Sequence, residues 1–202
     1  RKEWDRRMNK IELEKIKQEA LQDNIPIIMD DTLEIIKKEL NDRAPKRLLE
    51  IGTAVGYSAI CFSEFLAENG EIDTIERDEE RVIKAKENIK RAEVENKINI
   101  LAGDALEILP KLNKKYDVVF IDASKGKYPF FLEEALRLLN DKGIIFADNV
   151  LYKGYVMSDY NKHKQRTAVR NLREFIKRLQ ENETLETNIL EAGDGLAIAK
   201  KI

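Results

Sequence analysis

The chain holds a single cysteine, Cys61, so an internal disulfide framework is excluded and a reducing compartment fits. Cys61 falls in an apolar stretch and reads as a small buried hydrophobe. The lone histidine, His163, lies in a polar stretch and reads as solvated. No apolar run approaches the ~20 residues that span a bilayer, and no signal-peptide pattern opens the chain, so it reads as a cytoplasmic protein without a membrane partner. Internal repeats, low-complexity tracts and linkers are also lacking. The reading is therefore one domain over 1–202, with a helical appendage at 1–42 and a sheet core at 43–202. With a formal net charge of −2 there is no global nucleic-acid footprint, although a local basic patch stays open.

What is present is enough apolar material to fold, 43% of residues, beside 37% charged residues. The charge is mostly Lys and Glu interleaved at helical spacing, the pattern of an ion-pair-laced surface. Leu13, Ile16, Ala20 and Leu21 recur with helical period between Asn9 and Gln22. A second helix, capped by Asp31 or Thr32, carries Leu33, Ile36 and Leu40. Strands are expected at Lys46–Ile51, Glu71–Glu76, Lys97–Leu101, Tyr116–Asp122 and Gly143–Asp148. Helices are expected from the turn after Ile51 to about Ala67, and at Asp78–Ala92, Ala105–Lys111 and Pro129–Leu139. A last helix, Lys164 to Gln180, precedes strands at Leu185–Leu190 and Leu196–Lys200, joined through Gly193-Asp194-Gly195. Alternation of this kind predicts an α/β fold with a mostly parallel seven-stranded sheet and an antiparallel closing hairpin.

In such sheets ligands bind beyond the carboxyl ends of the strands. The first strand runs into Glu50-Ile51-Gly52-Thr53-Ala54-Val55-Gly56, where Gly52 permits a sharp turn and a close approach to a ligand. Counted from Gly52, Ala54 and Tyr57 replace the second and third glycines of the dinucleotide fingerprint, so a cofactor without a pyrophosphate is indicated. Glu76 ends the second strand, 24 residues after Gly52, and either accepts hydrogen bonds from ribose hydroxyls or is an ordinary strand-end charge. Asp78 reads as a helix cap. Asp104 either meets an adenine amino group or caps the helix after it. Asp122 and Asp148 each end an apolar strand, with Asn149 beside the second. They are either caps or, as hard oxygen donors, ligands for Mg²⁺, Mn²⁺ or Ca²⁺. Lys125, three residues beyond Asp122, is a general base if it lies beside a cation and a sulfonium, and otherwise a surface lysine.

Three segments carry a family resemblance: Leu49 to Ile60 (LEIGTAVGYSAI), Phe120 to Tyr128 (FIDASKGKY) and Ala147 to Leu151 (ADNVL). They resemble the catechol and caffeoyl-CoA type of cation-dependent O-methyltransferase, with a Rossmann-like class I methyltransferase fold. The likeness runs from Ile25-Pro26-Ile27 to Gly193-Asp194-Gly195-Leu196. It implies S-adenosylmethionine as cofactor, with Gly52 and Ser58 at its methionine end and Glu76 at the ribose. Asp104 and Ala105 would meet the adenine, and Met29 and Asp122 would lie near the methyl donor. By the same resemblance Asp122, Asp148 and Asn149 hold the metal, Lys125 is the catalytic base and the chain forms a homodimer. Animal catechol enzymes carry a histidine where this chain has Ala123.

The branch this sequence is most similar to methylates 5-hydroxyuridine in tRNA. In that base the 5-hydroxyl and 4-carbonyl are neighbouring oxygens, as in a catechol. From Lys153 to Arg178 eight basic residues (Lys153, Lys162, Lys164, Arg166, Arg170, Arg173, Lys177, Arg178) face only Asp159 and Glu174. Lys153, Lys164, Arg166 and Arg170 are the expected phosphate contacts. The leading expectation is methylation of that tRNA hydroxyl to 5-methoxyuridine. A small catechol or phenol is the alternative acceptor. A non-catalytic RNA- or cofactor-binding module is the third reading, against which the set Asp122, Lys125, Asp148 and Asn149 counts.

Overall fold

The computed structural model describes residues 2–159 and 165–202. Helix α1 covers Lys2–Gln22, starting earlier than the apolar period suggests. Ile16 and Ala20 are buried under it, whereas Leu21 stays half exposed at 51%. Helix α2, Asp30–Arg43, buries Leu33, Ile36 and Leu40 as its spacing predicts. Its cap differs from expectation: extended Met29 precedes the helix and no side chain caps it. Asp31 lies inside the first turn, where its carboxylate accepts from the Thr32 N–H at 2.8 Å and the Gly193 N–H at 2.7 Å.

Five strands then alternate with helices: β1 (Arg47–Ile51), α3 (Tyr57–Ser63), β2 (Glu71–Glu76), α4 (Glu79–Arg91), β3 (Ile98–Ala102), α5 (Ala105–Ile108), β4 (Tyr116–Ile121), α6 (Tyr128–Leu138) and β5 (Leu139–Asp148). Helix α7 (Arg166–Gln180) and strands β6 (Leu185–Leu190) and β7 (Leu196–Lys201) close the chain. Asp78 caps α4, accepting from the Arg81 N–H at 3.0 Å. Helix α3 stops short of Ala67 because the Ala67 N–H is drawn to the Pro45 carbonyl, 2.9 Å away. The helix expected over Ala105–Lys111 tightens into a 3₁₀ turn at Leu109–Lys111, where Pro110 has no N–H to give. Strand β5 begins four residues earlier than expected, because Leu139 pairs with Tyr116 and the Asn140 amide donates to Asp117.

The sheet has the order β3-β2-β1-β4-β5-β7-β6, with β7 antiparallel to both neighbours and the rest running one way. Alternate residues feed two cores. Leu49, Ile51, Val119, Ile121 and Ile145 face α6 and α7, while Leu48, Val118, Phe120 and Phe146 face the layer that holds α2 and α3. Phe62 of α3 meets Phe120 edge to face, with ring centroids 5.2 Å apart. No described helix is long and apolar enough to cross a membrane.

At the amino end of the strands, buried Asp73 accepts from the Tyr116 hydroxyl (2.7 Å), the Asn99 amide (3.1 Å) and Lys114 (3.0 Å). Burial pushes its carboxyl upward, but these three donors more than offset that and hold it below the usual range. Such a group stabilises the fold above the unfolded carboxylate pKa, and that stability is lost as pH falls through the folded value. Tyr116→Phe should therefore cost about 1.5–3 kcal/mol at neutral pH, the range for a hydrogen bond to a charged group. Urea unfolding at several pH values checks this: the deficit should shrink under acid, and a pH-independent deficit would assign it to packing.

Candidate active site

Strands β1, β2 and β3 succeed one another to one side and β4 and β5 to the other, so the topology switches direction between β1 and β4. Gly52, at φ +104°, turns the chain out of β1 there, and a Cβ on it would sit 2.0 Å from the Asp122 carbonyl oxygen. The two strand ends are closed further by the Asp122 N–H donating to Ile51 at 3.0 Å. Above this junction lies a cavity of about 340 Å³. Its walls include Gly52, Ala54, Glu76, Gly103, Asp104 and Ala105 on one side and Asp122, Lys125 and Phe131 on the other, with Pro26 contributed by the segment before α2. Size and position fit a ligand at a switch point.

Glu76 is fixed by its own turn. It accepts from the backbone N–H of Ala54 at 2.9 Å and of Arg77 and Asp78 at 3.0 Å each. Asp104 caps α5, accepting from the Leu106 N–H at 2.9 Å, and also lines the cavity.

Across the switch point, Asp122 and Asp148 do emerge side by side from β4 and β5. The Asn149 amide donates to Asp122 at 2.9 Å, and the Asn149 N–H donates to the Asp148 carboxylate at 2.8 Å. Asn149 sits at φ +60°, a conformation asparagine tolerates better than most residues. Burial pushes Asp148 up to about 7, with the nearby Asp122 charge adding to it. Burial also raises Asp122, against the opposing effects of Lys125 and the Asn149 amide. Lys125 opens a 3₁₀ turn at Lys125–Lys127 and holds its ammonium 5.8 Å from the Tyr152 ring centroid. Among the described residues no three acids, histidines or cysteines cluster around a common centre, so the hard donor set here is two carboxylates and one amide.

Not every expected residue reaches the cavity. The Ser58 hydroxyl donates to buried Glu50 instead, and Ser58, Met29, Asp148 and Asn149 are not among the residues lining the cavity. Met29 is 53% exposed and lies against Gly193. Lys153, Arg166 and Arg170 are exposed. Lys162, His163 and Lys164 lie outside the described residues. The basic run is also less available than its sequence implies. Arg173 donates to the carbonyls of Val156, Tyr155 and Ser158, Arg178 pairs with Glu174, and Lys177 lies 3.8 Å from Glu181.

A family model described as O-methyltransferase matches residues 9–202. The chain belongs to the O-methyltransferase family. It is 35% identical to a catechol O-methyltransferase of Niastella koreensis, over 76% of this chain and 72% of that protein. It is 29% identical to a caffeoyl-CoA O-methyltransferase of Populus kitakamiensis, over 89% and 78% of the two chains. The crystal structure of an O-methyltransferase from Bacillus cereus in complex with SAH superposes with a TM-score of 0.85 at 26% identity, covering 95% of this chain and 90% of that one. This protein is accordingly an enzyme, an S-adenosylmethionine-dependent O-methyltransferase.

One group of this O-methyltransferase escaped the sequence reading. Glu50, wholly buried near the carboxyl end of β1, accepts from the Ser58 hydroxyl and from the Thr74 hydroxyl at 2.5 Å, and Thr53 joins Thr74 at 2.6 Å. Its signal was a carboxylate inside an otherwise apolar strand, two residues before Gly52. Arg77 and Arg81 also line the cavity without having been marked by any motif, and Lys127 does so from within the Phe120–Tyr128 segment, where no role was assigned to it. Burial pushes Glu50 up to about 8, against hydrogen bonds from Ser58 and Thr74 that lower it. The folded protein keeps this proton where the unfolded chain, near 4.5, has released it, so Glu50 costs stability increasingly as pH rises from about 4.5 to about 8. Glu50→Gln should remove that slope, gaining on the parent by up to ~1.4 kcal/mol per pH unit across the window. Thermal or urea unfolding from pH 4 to 8 measures it, and parallel profiles for the two proteins would show that Glu50 titrates in the fold as it does in the unfolded chain.

Proposed function

We propose that this enzyme methylates one hydroxyl of a small catechol-type acceptor, using a divalent cation held by Asp122, Asp148 and Asn149. The observation that carries the reading is the Asp122–Asn149–Asp148 cluster, whose Asp122 lines the Gly52 cavity together with Lys125. Two carboxylates whose proton affinities are raised by burial and, for Asp148, by the neighbouring acid fit a hard divalent ion, as does the neighbouring amide. When bound, S-adenosylmethionine supplies the methyl group and the cation supplies the charge that acidifies an acceptor hydroxyl.

The rest is work for this chain's own residues. Gly52 lets the backbone lie close under the cofactor, and Glu76, held by three backbone donors, keeps acceptor capacity for ribose hydroxyls. Asp104 and Ala105 line the portion of the cavity assigned to adenine. Lys125, as the neutral amine, would take the proton from the acceptor hydroxyl and leave an oxygen free to attack the methyl carbon in line, the carbon–sulfur bond breaking as the carbon–oxygen bond forms. The names of the relatives favour a small phenolic acceptor over 5-hydroxyuridine in tRNA. The tRNA reading is supported by the exposed Lys153, Arg166 and Arg170, and it ranks second because Arg173, Lys177 and Arg178 are engaged within the protein.

Turnover on a catechol should cease with EDTA and return with Mg²⁺ or Mn²⁺; full activity after thorough chelation would sink the metal assignment. A parallel assay on tRNA bearing 5-hydroxyuridine orders the two acceptors, and efficient methylation of that tRNA alone would reverse the ranking. For the cofactor side, Glu76→Ala should weaken binding of S-adenosylmethionine roughly 10- to 100-fold, from the loss of charge-assisted hydrogen bonds. Calorimetry reads this directly, and an unchanged dissociation constant in a folded variant would remove Glu76 from the ribose site.

A further inference from the structure

The closing hairpin sits far along the sheet from Gly52, yet its turn touches the segment that carries Asn149. After β5 the chain runs through Asn149 (φ +60°), Tyr152 (φ +45°), Lys153 (φ +55°) and Gly154 (φ +75°). Three non-glycine residues in the left-handed region within five positions persist only where their surroundings fix them. What fixes them is the turn at residues 193–195. The Asp194 carboxylate accepts from the Lys153 N–H at 2.5 Å, its carbonyl accepts from the Leu151 N–H at 3.0 Å, and the Gly195 carbonyl accepts from the Val150 N–H at 3.1 Å. Packing is equally close, since a Cβ on Gly195 would lie 2.4 Å from the Leu151 side chain. The turn is itself held from the other side, where the Gly193 N–H donates to Asp31.

We infer that Asp194 is a positioning residue for methyl transfer: by pinning residues 150–153 it sets the Asn149 amide against Asp122 and the Tyr152 ring against Lys125. Asp194 meets neither group itself in any hydrogen bond of the described residues, and acts through the strained backbone between them. The inference rests on the proposed reading of Asp122, Lys125, Asp148 and Asn149 as the reacting edge.

Asp194→Ala removes the acceptor, whereas Asp194→Asn loses the charge but keeps an oxygen for the Lys153 N–H. In Asp194→Ala the amides of Leu151 and Lys153 should exchange hydrogen about tenfold faster or more. Its kcat should fall on the order of 10- to 100-fold, as expected for a misplaced reacting group, with SAH affinity by calorimetry kept within about twofold. Asp194→Asn should match the parent in all three measurements. Unchanged exchange, an undiminished kcat, or equal impairment of both variants overturns the inference. So does an Asp194→Ala chain that fails to fold or loses SAH affinity, because either result makes Asp194 a general support. Lys125→Ala, assayed alongside, separates the two levels. Activity retained there sinks the reading of the reacting edge, whereas an inactive Lys125→Ala beside a fully active Asp194→Ala sinks the Asp194 inference alone.

Discussion

Everything at the upper edge of the sheet depends on two strand ends approaching more closely than side chains allow. With 2.0 Å between the position of an absent Gly52 Cβ and the Asp122 carbonyl oxygen, any other residue would force β1 and β4 apart. The cavity wall built from Gly52, Glu76 and Asp104 lies on one side of this contact. The acids at the ends of β4 and β5 lie on the other. Closing the junction is what sets these two groups of acids facing one another, the arrangement on which the proposed transfer from cofactor to acceptor relies.

The acids on the two sides are compensated differently, and that difference assigns their work. Glu76 finds three backbone N–H donors in the turns around it, so its charge is satisfied by dipoles already in place. Asp148 finds one such donor, from Asn149, and a second carboxylate close by. Hydrogen bonds balance the first site before any ligand arrives. The second is left less compensated, with acids that end apolar strands buried on both faces and whose proton affinities burial raises. Glu50 shows the third solution, in which burial is so complete that the proton itself is retained.

Most of the fold was legible in the sequence because its signals are short-ranged. Apolar runs of five or six residues ending in Gly52, Glu76, Asp122 and Asp148 locate four strands and their carboxyl ends together. Boundaries were missed where a distant group intervened. Pro45 captures Ala67 and shortens α3, and Tyr116 recruits Leu139 to lengthen β5. Within the site, the grouping of Asp122, Asp148 and Asn149 followed from strand order alone. The destination of Ser58 did not, because it depends on Glu50 and Thr74, which adjacent strands bring within its reach. Charge counting along the chain misled in the same way at Arg173. Its guanidinium donates to three carbonyls between Tyr155 and Ser158, so a cation counted toward a nucleic-acid surface is a brace for the loop after β5.

That loop explains why an antiparallel hairpin belongs on this sheet at all. Strand β7 inserts between β5 and β6 and pairs with β5 up to Asp148, placing the turn at residues 193–195 beside the first residues beyond the strand. A strand running parallel to β5 would present its own end there, with no returning turn to donate carbonyls backward. The reversal of β7 brings two carbonyls and one carboxylate against Val150, Leu151 and Lys153, while Arg173 of α7 holds the following residues. Backbone in the left-handed region is thereby fixed from both directions, and the side chains it carries inherit that rigidity. Strand β7, antiparallel between two neighbours, thus supports the segment that leaves β5 after Asp148.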